Sequence, residues 1–362
     1  MTISAESARP RRIGFWRWFW LAVMLLGALM AFNVGGFWGG IWKPAAPTVV
    51  LPAEAAWPGW YLLPPGVLFA GGIPFTNTMF SALISSLILF ALTFLVVRPF
   101  ARRGSLVPSG LYQVIEIAVE FFWNTTQSAA GKWAKSIFPF MMTIFMFVLT
   151  VNLFKLVPIH ETFGYVQLAP AGRQGYQTVV WNGIQLLDGS NKAAAGAPNA
   201  GDEPTLWTKP EPCPNCEIVP TFRAAATDLN FTASLALITM VMVQVFGLRA
   251  LGLDYFTKFI NLKTIISKPI FGMIDFIVGI LELISELAKI LSFSLRLFGV
   301  IFAGTLLLGI LGSLTVVFVP GLLVGLELFF GIIQAYVFSA LALTFMSQAV
   351  ASHHGEESAE AH

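Results

Sequence analysis

This chain is divided by apolar tracts that are too long and too numerous for any water-soluble fold to bury. A hydrocarbon core of roughly 30 Å needs about 20 apolar residues per crossing helix. Five tracts meet that length: Phe15–Phe37, Met79–Val97, Ser136–Val157, Leu229–Leu248 and Gly321–Ala351. A sixth, Ile270–Val319, is far longer than one crossing requires. Of the 362 residues, 56% are hydrophobic and 11% charged, whereas a soluble domain carries about a quarter charged residues. Lipid is therefore the main solvent. The expected fold class is an all-α polytopic membrane protein with about six membrane helices. There is no dense basic patch, which argues against a nucleic-acid partner.

The basic residues set an expected orientation. Arg9, Arg11 and Arg12 precede the first tract, and Arg98, Arg102 and Arg103 follow the second. Arg249, Lys258, Lys263 and Lys268 lie between the fourth tract and the long one. If each tract crosses once, all three clusters fall on one side and both termini are cytoplasmic. Residues 1–40 then hold an extra N-terminal membrane helix. Its basic flank also fits a signal peptide, but its length, its tryptophans and the poor cleavage site at Asn33–Gly36 favour an uncleaved anchor. Residues 41–78 and 158–227 form extracytoplasmic segments, the second an insertion with a low-complexity middle at Asn191–Pro204. Residues 79–157 and 228–351 hold the other membrane helices, and 352–362 is a polar, acidic cytoplasmic tail.

Within 109–133, Gln113, Glu116, Glu120, Asn124 and Gln127 recur every three or four residues, with Leu111, Ile115, Val119 and Phe122 on the other face. That pattern predicts an amphipathic helix lying in the interface or packed against another protein.

The long tract contains no proline, and a continuous helix over it would reach about 75 Å at 1.5 Å per residue. Either it tilts steeply or it breaks into two spans. Its middle carries Glu282, Glu286, Lys289 and Arg296, each costing on the order of 2.5–3.5 kcal/mol to insert. Glu282, Lys289, Ser292, Arg296 and Gly299 share one helical stripe, which continues into the small residues Ala303 and Gly304. Pairing of Glu282 or Glu286 with Lys289 accounts for three of these charges. Arg296 has no carboxylate among its helical neighbours and stays charged, so it wants an anion from elsewhere. Glu327 and Gln334 lie two turns apart in the last tract. A turn at Val319–Gly321 makes that tract antiparallel to the long one and lets Gln334 face Arg296 and Glu327 face Thr305. The expected outcome is a tilted helical hairpin over 270–351.

Cys213-Pro-Asn-Cys216 has redox or metal spacing, with His160 a further candidate ligand. In an extracytoplasmic loop a local disulfide is the simpler reading. A stand-alone transporter should show internal repeats, and none is visible. A thiol oxidoreductase built on Cys213 and Cys216 would need a packed soluble domain, for which the insertion reads as too loose and polar.

Ser292-Phe-Ser-Leu-Arg296-Leu-Phe-Gly299, followed by Phe302-Ala-Gly304, resembles the signature helix of subunit a of F-type ATP synthases. Gln334-Ala-Tyr-Val-Phe338 resembles that family's last helix, and Ser267-Lys-Pro269, Asp228-Leu-Asn230 and the Asn152–Pro158 stretch also fit. The resemblance spans roughly residues 70–352. It implies the stator half of a proton channel, with two offset half-channels against a rotating c-ring and an essential arginine, Arg296, between them. It places Gln334 opposite Arg296. It assigns Glu282, Lys289 and Ser292 to the cytoplasmic half-channel and Asn230 and Glu327 to the outer one. It also implies contacts with subunit b and other stalk subunits, an energy-transducing inner membrane, no cofactor, and no catalytic site in this chain alone. Three positions depart from the family pattern. Val300 replaces an expected Asn, Thr305 stands where Glu or His is common, and Glu327 is then the one ionisable member of that pair.

Overall fold

The computed structural model describes residues 53–64, 72–98, 111–157, 160, 163–169, 174–181, 184–193, 206–209, 211–252, 255, 269–314 and 318–351. The first tract, the tail, most of the low-complexity stretch and Arg9, Arg11, Arg12, Arg102, Arg103, Lys258, Lys263 and Lys268 lie outside the described residues. The chain is mostly helical. Five helical stretches among the described residues are long and apolar enough to cross a membrane, and they coincide with the five expected tracts that follow the first.

Helix α1 spans Asn77–Leu92 and runs on through a wider turn at Thr93–Val97. Thr76 caps its start, its hydroxyl accepting from the Met79 amide. Its burial is the inverse of a soluble helix. Asn77, Thr78, Ser81 and Ser85 are buried, while Leu87, Phe90 and Leu95 are exposed. Small polar side chains turned inward and bulky apolar ones turned outward are what a lipid solvent dictates.

Helix α2 spans Leu111–Ala130 and α3 spans Ala134–Phe154, joined by a short turn at Gly131–Trp133. Gly131 takes a left-handed φ of 49°, the conformation the reversal requires and one that other residues rarely adopt. The two helices run antiparallel: Phe122 meets Phe145 at a tilt with ring centres 4.4 Å apart, Trp123 meets Phe138 at 5.2 Å, and Thr126 reaches the Met141 sulfur at 3.5 Å. The expected polar face of α2 is exposed. Its packed face centres on Phe122 and Thr126, and Val119 is exposed. Exposed Val114, Ile117 and Phe121 give α2 a second, apolar outer face.

Helix α4, Leu229–Leu251, starts where the Asp228 carboxylate accepts from the Asn230 amide, and it stops at Gly252 with φ 63°. Helix α5 is one unbroken α-helix, Pro269–Leu314, with proline at the first position, where no backbone donor is needed. Its 46 residues span about 69 Å, so the long tract does not break into two spans. Helix α6 is Phe318–Val350. It begins before Pro320, so Pro320 and Gly321 lie inside its first turn rather than forming the expected reversal. A proline fits there because the first-turn amides have no intrahelical partner.

By contact the chain divides into two compact units. The larger contains α1 to α4, most of α5 and α6, and the small antiparallel pair β1 (Tyr61–Leu63) and β2 (Ile73–Pro74). Its core is built from α3, α4, α5 and α6, with Ile137, Met141, Leu297, Phe293, Phe338 and Met346 almost fully buried.

The smaller unit includes Leu168–Glu217. The insertion is not the loose segment expected from its composition. Strand β3 is Gly164–Leu168, β4 Tyr176–Trp181, β5 Ile184–Lys192 and β6 Cys216–Pro220. β4 and β5 form an antiparallel hairpin, and Tyr176 of β4 pairs with Cys216. Cys213 and Cys216 are joined by a disulfide with their Cα atoms 5.9 Å apart, and both are fully buried. The loop they close is locked to the hairpin. Thr178 bonds Cys213 through both its amide and its hydroxyl, and the Asn215 side chain accepts from the Gly175 amide at 2.6 Å.

Candidate functional site

Two aromatic contacts fix how α5 lies against α6. Phe293 meets Phe338 edge-on at 4.9 Å and Phe345 at 5.6 Å. Farther along, Gly304 sits against the Glu327 carboxylate. This antiparallel register puts Gln334 level with Leu297, next to Arg296 in the chain.

Arg296 is half-buried, and its guanidinium donates to the Ser292 hydroxyl at 3.3 Å and lies 5.9 Å from the Phe293 ring. No carboxylate among the described residues lies within ion-pair distance of it. Around it α5 presents exposed Ser292, Leu295, Val300 and Ala303, and space beside Gly299 is open. Gln334 does not bond Arg296. It is buried, and its Nε2 has no partner among the described residues. Buried donors are rarely left this way.

On one side of Arg296 is a cluster that joins α4 to α5. Lys289 donates to Glu286 at 3.0 Å and lies 5.0 Å from the Phe345 ring. Gln244 donates to the other Glu286 oxygen at 3.2 Å and accepts from the Tyr255 hydroxyl at 2.6 Å. Gly247 makes room for the Tyr255 ring, because a Cβ there would collide with it. A cavity of about 520 Å³ opens beside Glu286, walled by Met240, Leu283 and Ile290. Glu282, one turn earlier, is half-buried and also engaged by a neighbour. The intrahelical pair expected from spacing is therefore Glu286 with Lys289, and it is part of a larger network.

On the other side of Arg296, Lys155 at the end of α3 donates to Glu327 at 2.9 Å and to the Ile301 carbonyl at 3.2 Å. Both side chains are less than a tenth exposed. Thr305 gives its hydroxyl to the same Ile301 carbonyl at 3.0 Å rather than to Glu327. One turn back on α3, the Asn152 amide donates to Gly331 of α6 at 3.1 Å. Nearby on α5, Ser294 shares a 3.3 Å hydroxyl contact with Thr232 of α4. Asn230 lies apart from this cluster, exposed at the start of α4. Beyond α3, burial holds His160 below its ordinary pKa; the Val157 carbonyl acts against that shift and Lys155 adds to it.

At 1.5 Å per residue along α5, Glu286 lies about 15 Å and Thr305 about 14 Å from Arg296, in opposite directions. Between the two clusters, Phe293, Leu297 and Phe338 are almost fully buried. Lys155, Gln244 and Tyr255 were not singled out from sequence. Lys155 had a signal, being a charged residue close behind an apolar tract, inside the Asn152–Pro158 stretch.

The fold and this arrangement define a polytopic membrane protein that carries a guanidinium and two ion-paired networks on its long apolar helices. The family model described as "ATP synthase A chain" matches residues 79–347, and the chain belongs to that family. It is 26% identical to ATP synthase subunit a of Moorella thermoacetica over 293 residues, covering 81% of this chain and 99% of that one. It is 29% identical to the chloroplastic subunit a of Oedogonium cardiacum, covering 68% of this chain and 73% of that one. A subunit a 2 of Picosynechococcus sp. is 35% identical over 36% of this chain and 52% of that one. The protein is thus a multi-pass membrane subunit of the ATP synthase complex, acting in proton transport and ATP synthesis.

The cysteine pair stands outside that role, since both thiols are consumed in a buried bond. We expect Cys213→Ser to cost the sheet about 2 kcal/mol, the value for closing so short a loop. Limited proteolysis should cut the insertion faster, while the rate of ATP synthesis should stay unchanged. A lost rate with an intact insertion would give the disulfide a redox role instead.

Proposed function

We propose that this chain is the stator half of the proton path, with two offset half-channels that meet a rotating ring of carboxylate-bearing subunits at Arg296. The observation that carries this reading is a pair of polar clusters on opposite sides of a guanidinium that has no carboxylate partner among the described residues. Glu286, Lys289, Gln244 and Tyr255, with Glu282 and Ser292 alongside, belong to the cytoplasmic side. Glu327, Lys155 and Thr305, with Asn230 nearer the surface, belong to the outer side. Gln334 packs behind Arg296.

The chemistry follows from solvation. A rotor carboxyl facing lipid keeps its proton, because burial penalises the charged form. Beside Arg296 the charged form is favoured and the proton is released. The same fixed cation repels a proton that would run straight from one half-channel to the other. Each proton must therefore travel round on the ring, driven by about 2.3 kcal/mol per charge per 100 mV. The chain itself breaks no bonds, and catalysis belongs to the soluble sector of the complex. The membrane is an energy-transducing inner membrane with both termini on the cytoplasmic side, and subunit b and the peripheral stalk hold the chain against the ring.

Purification of the tagged chain tests the assembly, because it should bring down the carboxylate-bearing ring and the soluble sector together. Recovery of the chain without a ring would overturn the reading. For the outer path, Glu327→Gln should slow rather than abolish passive proton conductance through complexes stripped of the soluble sector. Unchanged conductance would remove Glu327 from the path.

A further inference from the structure

Glu327 finds its ionic partner at the end of a third helix, α3. On α5 it lies against Gly304, and the next residue, Thr305, is neutral, with its hydroxyl occupied by the Ile301 carbonyl. The charge that meets Glu327 comes from α3, and we propose that Lys155 is a positioning residue for proton uptake, compensating the Glu327 carboxylate between protons and returning it to one place beside Gly304. This inference rests on the proton-path reading given above.

The geometry separates this role from that of a simple brace. The Lys155 ammonium is 2.9 Å from Glu327 and 3.2 Å from the Ile301 carbonyl, so one side chain ties α3 to both α5 and α6. The fastening of α3 to α6 is already made one turn away by the neutral bond from Asn152 to Gly331. A lysine adds charge to a junction that a neutral amide holds. Both members of the ion pair are less than a tenth exposed, and a carboxylate left alone there would be strongly disfavoured. Gly304 leaves the space that the carboxylate occupies, since a Cβ at that position would stand 2.9 Å from its oxygen.

The proton step is simple. A hydronium ion from the outer side gives its proton to the carboxylate and leaves as water, and the now neutral carboxyl is released from the ammonium's attraction. When the proton passes on to a rotor carboxylate, Glu327 regains its charge and Lys155 recaptures it.

Lys155→Cys in the assembled complex tests this. The chain has two cysteines and both are held in the disulfide, so the introduced group is the chain's one free thiol, and the unsubstituted complex controls for its partners. We expect proton-driven ATP synthesis to fall by at least about tenfold, with the amount of assembled complex unchanged. Treatment with an aminoethyl thiosulfonate, which rebuilds a lysine-like cation, should restore most of the rate, while the neutral ethyl reagent should not. Lys155→Arg should keep most of the activity and Lys155→Met should lose it, which decides the matter even where the reagent does not reach the thiol. Equal rescue by the neutral reagent, a Lys155→Met complex at full rate, or failure of both Lys155→Cys and Lys155→Arg to assemble would overturn the proposal. The parent reading fails separately, through Arg296→Ala complexes that still couple.

Discussion

Arg296→Ala should abolish proton-driven ATP synthesis while the complex still assembles, and passive proton leak through the membrane sector should rise. Among the described residues the guanidinium makes one hydrogen bond, to Ser292, and lies near the Phe293 ring. Its removal therefore leaves no buried partner stranded and little reason for misfolding. What disappears is the fixed positive charge between the clusters at Glu286 and Glu327. On the proposed mechanism, a rotor carboxyl then has no cation to favour ionisation on arrival, and a proton faces no repulsion between the half-channels. Arg296→Lys should fail as well. An ammonium can lose its proton in an apolar setting, and it lacks the planar, permanently charged fork. The measurements are ATP synthesis under an imposed proton gradient and proton leak in stripped vesicles. Normal synthesis in either variant would defeat the proposed mechanism.

The second large effect is on packing. Phe293→Ala should lower the melting temperature of the assembled complex and loosen coupling with Arg296 untouched. Phe293 is 2% exposed and Phe338 1% exposed, and their edge-on contact holds α5 in register with α6. In soluble cores such truncations cost about 3–5 kcal/mol. Between membrane helices, lipid tails are as apolar as the side chain, so the loss is mainly of dispersion contacts, and the low end, about 3 kcal/mol, is expected. Phe293→Leu, which keeps most of the volume, should cost much less. Thermal unfolding of both variants in one detergent checks this, and equal melting temperatures would remove Phe293 as the register-setting contact.

The spans were legible because a bilayer imposes a length and a composition that few other constraints mimic. Arg296 and Glu327 stood out because charges are rare inside apolar tracts. Lys155 did not, because a lysine at the end of a tract is ordinary and its partner lies 172 residues away. The Glu286–Lys289 pair was readable from spacing along one helix. Its extension through Gln244 and Tyr255 was not, since both belong to a different part of the chain. The turn was misplaced because Pro320-Gly321 is strong turn chemistry, yet a proline is equally at home in the first turn of a helix. The strands of the insertion were hidden by the low-complexity stretch among them. Even so, the cysteine spacing marked the place where the chain is stapled.

The unbroken course of α5 has a mechanical consequence. Helices bend sharply at internal prolines, Gly/Ser pairs and π-bulges; α5 is continuous α-helix from Pro269 to Leu314, and its adjacent Gly312-Ser313 lies in the last turn, away from the middle. Such a rod behaves as a strut, so a sideways thrust at its middle is carried to both ends instead of being absorbed at a hinge. A turning wheel delivers its torque only against something that refuses to flex.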